Sequence, residues 1–75
     1  VFGESDAGAF AEFARVPERT LVAKPPSMTH AQAAVLAVSA TTALQGLRDR
    51  GRLARGARVL VIGASGGVGG YAVQL

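Results

Sequence analysis

Hydrophobic and polar positions divide the chain into stretches with different periods. Apolar and aromatic residues dominate residues 9–16 and 20–24, and Pro17 lies between them, which predicts two short extended segments. An alanine-rich stretch over residues 29–49 predicts helix. Residues 59–62 read "VLVI", a continuous aliphatic run typical of a parallel strand that is covered on both faces.

The ends of the predicted helix carry recognisable signals. Thr29 and Gln32 have the spacing of a capping box, in which each side chain accepts a hydrogen bond from a backbone N–H at the helix start. The β-branched residues within 38–42 favour a break into two helices. Gly51 is the predicted end, and residues 53–57 with Gly56 predict a turn.

Five of the eight residues after "VLVI" are glycines, and an amphipathic helix start follows them. A strand followed by a glycine-rich turn and the start of a helix is half of a dinucleotide-binding unit. The first turn of the helix in such a unit offers free N–H groups to a pyrophosphate. A tight turn without a ligand explains one or two glycines but not five. A Walker A loop is excluded because no lysine follows Lys24. The glycines are Gly63, Gly66, Gly67, Gly69 and Gly70.

The composition narrows the class of protein. The 75 residues, 49% of them hydrophobic and 17% charged, indicate one globular domain at most or a piece of a larger protein, and we expect a piece because the chain begins with Val1. The absence of cysteine excludes disulfides and thiolate metal sites within these residues. We therefore expect a cytoplasmic location.

The charges suggest two further partners, neither of which we expect. The net charge of +3 is concentrated in five arginines between Arg48 and Arg58, but no aromatic residue is interleaved for base stacking, so nucleic acid is not expected.

No charged residue lies between Lys24 and Arg48, a stretch long enough for a membrane span. Prolines and polar side chains interrupt it, and a buried soluble helix is the better interpretation.

Four segments, "GAFAEFARVP", "AAVLAVSATTALQGL", "VLVIGASGGVG" and "AVQL", resemble in order and separation the medium-chain dehydrogenase/reductase superfamily. The resemblance is strongest to its zinc-independent quinone oxidoreductase-like branch. It implies an α/β fold, with residues 1–28 ending a GroES-like β domain and residues 29–56 connecting two domains. Residues 57–75 would then begin a Rossmann domain, a doubly wound parallel sheet, with its first strand and the start of a helix.

The same resemblance implies a set of site residues. Ser65, Gly66, Gly67 and Val68 should contact the pyrophosphate chiefly through backbone N–H groups, with Gly63 and Gly69 shaping the turn. Thr42 corresponds to a threonine near the nicotinamide; its alternative role is to bond back to the helix carbonyl four residues earlier. Where zinc-type relatives carry a cysteine ligand this chain has Val38, so no metal is expected. His30 is expected to be solvated, and Tyr71 to pack in the core.

The function implied is hydride transfer from NADPH, with NADH possible, to a quinone, an enone or another activated carbonyl of a small molecule. The catalytic residues are unknown, the full-length protein is expected to be a homodimer, and the 75 residues alone are not expected to be active. Three alternatives stay open: an enoyl reductase module of a polyketide synthase, a short-chain dehydrogenase, and a non-catalytic NADPH- or RNA-binding protein.

Overall fold

The computed structural model describes residues 1, 3, 5 and 8–75. In chain order they form a 3₁₀ turn (Glu18–Thr20), helix α1 (His30–Leu44), a π-helical segment (Gln45–Arg50) and helix α2 (Gly67–Gln74). The chain divides into two compact units, Val1–Ala37 and Val38–Leu75. The acidic residues Glu4 and Asp6 lie outside the described residues.

The two extended segments predicted in the first unit are not observed as strands among the described residues. Apart from an isolated bridge residue at Val22, residues 9–16 and 20–24 lie in no strand of the described chain, and Thr20 belongs to the 3₁₀ turn. Pro17 favours this turn because its ring restricts φ, here −60°, and its carbonyl accepts the N–H of Thr20 at 3.0 Å. Phe10 and Phe13 are fully exposed, so no apolar face holds these segments extended.

The start of α1 confirms the predicted capping box. The Thr29 N–H donates to Gln32 Oε1 at 2.9 Å, and the Gln32 N–H donates to Thr29 Oγ1 at 3.1 Å. Both bonds satisfy N–H groups that have no partner within the helix, which is why the helix begins at His30.

The predicted break within residues 38–42 is wrong, because α1 continues through them to Leu44. The Thr42 hydroxyl donates to the Val38 carbonyl at 2.7 Å, so this β-branched residue is accommodated within the helix. The helix widens into the π-helical segment only after Leu44, and the Gly51 N–H bonds five residues back to the Gly46 carbonyl at 2.7 Å.

The predicted end at Gly51 is confirmed, although the left-handed residue lies one position later. Gly51 has φ −75°. Arg52 has φ +47°, and among the described residues it is the one non-glycine residue with a positive φ. A Cβ on Gly51 would lie 3.0 Å from the carbonyl oxygens of both Gly46 and Leu47, so close contact favours glycine there. The predicted turn over residues 53–57 also forms, with Gly56 at φ +84° and the Ala57 N–H bonded to the Ala54 carbonyl at 3.1 Å.

Residues 59–62 are part of no strand among the described residues, so the predicted buried strand is not observed. Leu60 and Ile62 are 85% and 89% exposed, whereas Val59 and Val61 line an apolar groove of about 650 Å³ within the second unit. Leu44, Leu47, Leu53, Val73 and Leu75 line the same groove. A parallel strand forms by hydrogen bonds to at least one neighbouring strand, and the described residues provide no such neighbour for residues 59–62.

The apolar core of the described residues is small. Ala33 and Ala43 are its buried members, at 2% and 3% exposure, and no large side chain is fully buried. Among the described residues no helix has the length and apolarity to cross a membrane. Burial of side chains within the described residues therefore contributes little to the stability of the helices.

Candidate functional site

The glycine-rich segment between residues 62 and 67 forms a tight loop that leads into α2. Gly63 has φ +77°, a conformation that is strained for residues with a Cβ. The Gly66 N–H donates to the Gly63 carbonyl at 3.0 Å and closes the loop. This bond uses the Gly66 N–H inside the loop, so Gly66 does not offer it to a ligand in this conformation.

Gly69 lets the first turn of α2 lie directly on the loop. A Cβ on Gly69 would overlap the Gly63 carbonyl oxygen and would lie 2.9 Å from Ala64 Cα. Both obstructing groups are backbone atoms, which cannot move aside without moving the loop. The conformation of Gly63 and the missing side chain of Gly69 therefore determine the same loop structure.

Three backbone donors are left free at the start of α2. Within the described chain, no carbonyl or side chain accepts the N–H groups of Gly67, Val68 and Gly69, and the cap residue Gly66 offers no side chain. The first N–H groups of a helix carry a partial positive charge of about half a unit, which favours anions. This part of the loop therefore offers several donors to an anionic group without an obstructing side chain.

Helix α1 contacts this donor group through Ser39. A Cβ on Gly67 would lie 3.0 Å from Ser39 Oγ and 3.6 Å from Ser39 Cβ, so the two helices meet here at close range. Ser39 and Thr42 are three residues apart on α1 and are neighbours on the helix surface. The fold thus brings Thr42, predicted near the nicotinamide, to within one helical turn of the residue that contacts the glycine loop.

The net charge of the second unit is also favourable to an anion. No acidic residue follows Asp49 in the chain, and the second unit holds five arginines and one aspartate, a net charge of +4. The Asp49 carboxylate is engaged by Arg48, with Nε to Oδ1 at 2.6 Å and Nη2 to Oδ2 at 3.1 Å. These hydrogen bonds hold the pKa of Asp49 below its ordinary value, so the carboxylate stays ionised and paired.

These observations fit a pyrophosphate. Unobstructed N–H groups, glycine at the points of closest approach, and the absence of nearby carboxylates are what a dinucleotide needs at its central phosphates. Ser65 is exposed in the loop and lies beside these donors in sequence. The chain offers no lysine here, which distinguishes the loop from a nucleoside triphosphate site.

The other residues singled out in the sequence lie on the two helices or at their start. The Thr42 hydroxyl donates to Val38, the alternative role that the sequence analysis had left open, and its oxygen can still accept a bond. Tyr71 is half-buried on α2, His30 is exposed at the start of α1, and Val38 is 54% exposed. The described residues contain no group of three or more histidine, cysteine, aspartate or glutamate side chains arranged to hold a metal.

Sequence reasoning missed Ser39. A serine inside an alanine-rich helix carries no motif, and its proximity to Gly67 depends on how α1 and α2 pack. The signal available in the sequence was indirect: Gly63, Gly66 and Gly69 have the spacing G-x-x-G-x-x-G, and Gly67 is an additional glycine that can mark a close helix contact.

Comparison with known proteins agrees with the geometry. A chloroplastic quinone-oxidoreductase homolog of spinach is 42% identical over 80 residues, which cover all of this chain and 24% of the relative. The human mitochondrial NAD(P)H oxidoreductase RTN4IP1 is 43% identical over 72 residues, covering 91% of this chain and 18% of the relative. The chain therefore spans about a quarter or less of the length of these curated relatives.

A third relative is the highly reducing polyketide synthase apmlA of Arthrinium phaeospermum, 43% identical over 68 residues that cover 91% of this chain and 3% of the relative. No family model and no solved structure matches the chain. Over these residues the chain is a relative of the quinone oxidoreductase-like medium-chain reductases, and the resemblance seen in the sequence is confirmed.

The comparisons also correct one expectation. The cytoplasmic location predicted from the absence of cysteine is wrong, because the spinach and human relatives are named as chloroplastic and mitochondrial proteins. The physical reason is that a lack of cysteine shows only that no disulfide forms within these residues. It does not distinguish one compartment from another.

Proposed function

We propose that this chain forms the pyrophosphate-binding part of an NAD(P)H-dependent oxidoreductase that reduces quinones, enones or related activated carbonyls. The observation that carries the proposal is the loop at the start of α2, where three N–H groups are free and a Cβ on Gly69 would collide with the Gly63 carbonyl. The named relatives are oxidoreductases, which supports the same class of reaction.

In this proposal different residues bind the phosphates and the nicotinamide end of the cofactor. The N–H groups of Gly67, Val68 and Gly69 donate to phosphate oxygens, and the partial positive charge of the helix start favours the bound anion. Thr42 is proposed to face the nicotinamide end and to accept a hydrogen bond there, since its hydroxyl hydrogen is donated to the Val38 carbonyl. When bound, the reduced nicotinamide supplies the hydride, so the protein has to hold the acceptor, polarise its oxygen and exclude water. NADPH is proposed over NADH on the family resemblance.

We further propose that the reaction needs no zinc. Val38 stands where zinc-type relatives place a cysteine ligand, and its side chain has no atom that can bind a metal. Activity that persists after exhaustive dialysis against a chelator supports this part of the proposal, and activity that returns only on adding zinc contradicts it.

The wider fold and assembly are proposed on the same basis. Residues 1–28 are proposed to end a GroES-like β domain, residues 29–56 to connect the domains, and residues 57–75 to begin a Rossmann domain. The aliphatic residues 59–62 would pair with parallel strands of that domain, and homodimerisation and a small-molecule substrate follow from the resemblance.

The test is a titration of the full-length protein with NADPH and with NADH, followed by turnover with a para-quinone and with an α,β-unsaturated ketone. Enhanced and blue-shifted nicotinamide fluorescence, and oxidation of the nucleotide that depends on the acceptor, are expected. A protein that leaves the fluorescence of both nucleotides unchanged contradicts the proposal.

A second candidate is enoyl reduction within a polyketide synthase, which the match to the fungal enzyme favours. It requires the same nucleotide loop and differs in the acceptor. Reduction of an enoyl thioester carried on a phosphopantetheine arm, together with little activity on free quinones, would identify this function.

A further inference from the structure

The contact between Ser39 and Gly67 suggests that Gly67 is a glycine for a reason other than the approach of a ligand. Ser39 is half-buried on α1, and its Oγ would lie 3.0 Å from a Cβ on Gly67. Few Cβ contacts in proteins are so short. By contrast, a Cβ on Gly70, in the same turn of α2, would meet its nearest neighbour at 3.7 Å, an ordinary contact.

We propose that Ser39 is a positioning residue for the nucleotide loop: its hydroxyl lies against Gly67 and sets the distance between α1 and the first turn of α2. In this account Gly67 is glycine because of Ser39 and not because phosphate must approach its Cα. The proposal rests on the proposed function, since the loop that Ser39 positions is the pyrophosphate loop.

The geometry limits which atom of Ser39 matters. The short distance involves Oγ, whereas Ser39 Cβ would lie 3.6 Å from a Cβ on Gly67, which is normal van der Waals contact. Replacing Ser39 by alanine therefore removes the obstruction completely. Alanine also has a higher helix propensity than serine, so the substitution does not endanger the folding of α1.

An added Cβ on Gly67 would affect the free backbone donors at the start of α2. The free N–H groups of Gly67, Val68 and Gly69 are all in the first turn of α2, and an added Cβ on Gly67 must displace that turn or the Ser39 hydroxyl by a few tenths of an ångström. Because three donors converge on one anion, a shift of the turn weakens all three bonds together.

The experiment compares four forms of the full-length protein: unaltered, Gly67→Ala, Ser39→Ala, and the double variant. Gly67→Ala is expected to raise the Kd for NADPH by about fivefold. The double variant is expected to return to within about twofold of the unaltered protein. The Kd for ADP-ribose, which has the pyrophosphate but no nicotinamide, should change in parallel. Gly70→Ala is the matched control and should leave both Kd values unchanged.

Two results would overturn the proposal. If Gly67→Ala weakens binding and Ser39→Ala does not restore it, the added Cβ obstructs the phosphates directly. If Gly67→Ala has no effect on binding, Ser39 does not set the spacing. Melting temperatures without nucleotide, measured on the same four proteins, test the packing separately: Gly67→Ala should lower the melting temperature and the double variant should restore it. Failure of the unaltered protein to bind NADPH would contradict the proposed function, whereas the melting temperatures would still test the contact between Ser39 and Gly67.

Discussion

The carbonyl oxygen of Gly63 occupies the place where residue 69 would carry its Cβ. Gly63 itself has φ +77°, so one glycine turns the chain and the other allows the helix to lie on the turn. Neither could be replaced by an ordinary residue without moving the three free N–H groups that follow.

Gly69→Ala is therefore expected to destabilise the full-length protein by about 2 kcal/mol and to weaken NADPH binding, because backbone atoms block the new methyl group. Gly70→Ala is the control: its Cβ has 3.7 Å to Ala64 O, and alanine should add about 0.5–1 kcal/mol of helix stability. Denaturant unfolding measures both. Equal effects of the two substitutions would contradict the close approach of the loop and α2.

The capping box at the start of α1 predicts a loss on removing either side chain. Thr29→Ala should lower the free energy of unfolding by about 1 kcal/mol, because it leaves the Gln32 N–H without an acceptor. Thr41→Ala, an exposed position inside the same helix, should be neutral or slightly stabilising. A loss of stability as large for Thr41→Ala as for Thr29→Ala would argue against the cap.

Arg52 has a left-handed backbone, which costs a residue with a Cβ about 1 kcal/mol relative to glycine. Arg52→Gly is expected to raise the melting temperature of the protein. Arg55→Gly removes the same charge from a residue with negative φ and should lower stability slightly. If the two variants melt at the same temperature, the strain at Arg52 is absent.

The pair of Arg48 and Asp49 predicts a small pH dependence. The hydrogen bonds from Arg48 lower the pKa of Asp49 in the folded chain, so this pair stabilises the fold above the ordinary aspartate pKa and ceases to do so as the pH falls through the lowered value. Carbon-detected NMR titration should show Arg48→Gln raising the pKa of Asp49. Arg50→Gln, which removes a neighbouring charge but no bond to Asp49, should change it less.

Local signals in the sequence were sufficient for the helix ends and the turns. Thr29 with Gln32, Gly51, Gly56 and the glycine run each act through bonds or dihedral angles of a few adjacent residues, and the structure has the expected features at each. These features depend on no distant contact, which is why a linear pattern could predict them.

Sequence patterns that predict strands were less reliable, because a strand depends on pairing with another segment of the chain. Residues 9–16, 20–24 and 59–62 have strand-like composition, but a strand is formed by hydrogen bonds to another strand, and apart from the bridge at Val22 the described residues supply no such pairing. The predicted break in α1 also failed, because the Thr42 hydroxyl bonds to the Val38 carbonyl within an intact helix.

The sequence by itself determined where the chain turns, where α1 is capped, and that five glycines gather ahead of a helix, because these are properties of local backbone chemistry. Only the tertiary structure decided which of those glycines are indispensable. Gly69 lies against the Gly63 carbonyl because of the way the loop folds back on the start of α2, and Gly67 lies against Ser39 because two helices distant in the chain pack within a few ångströms of each other.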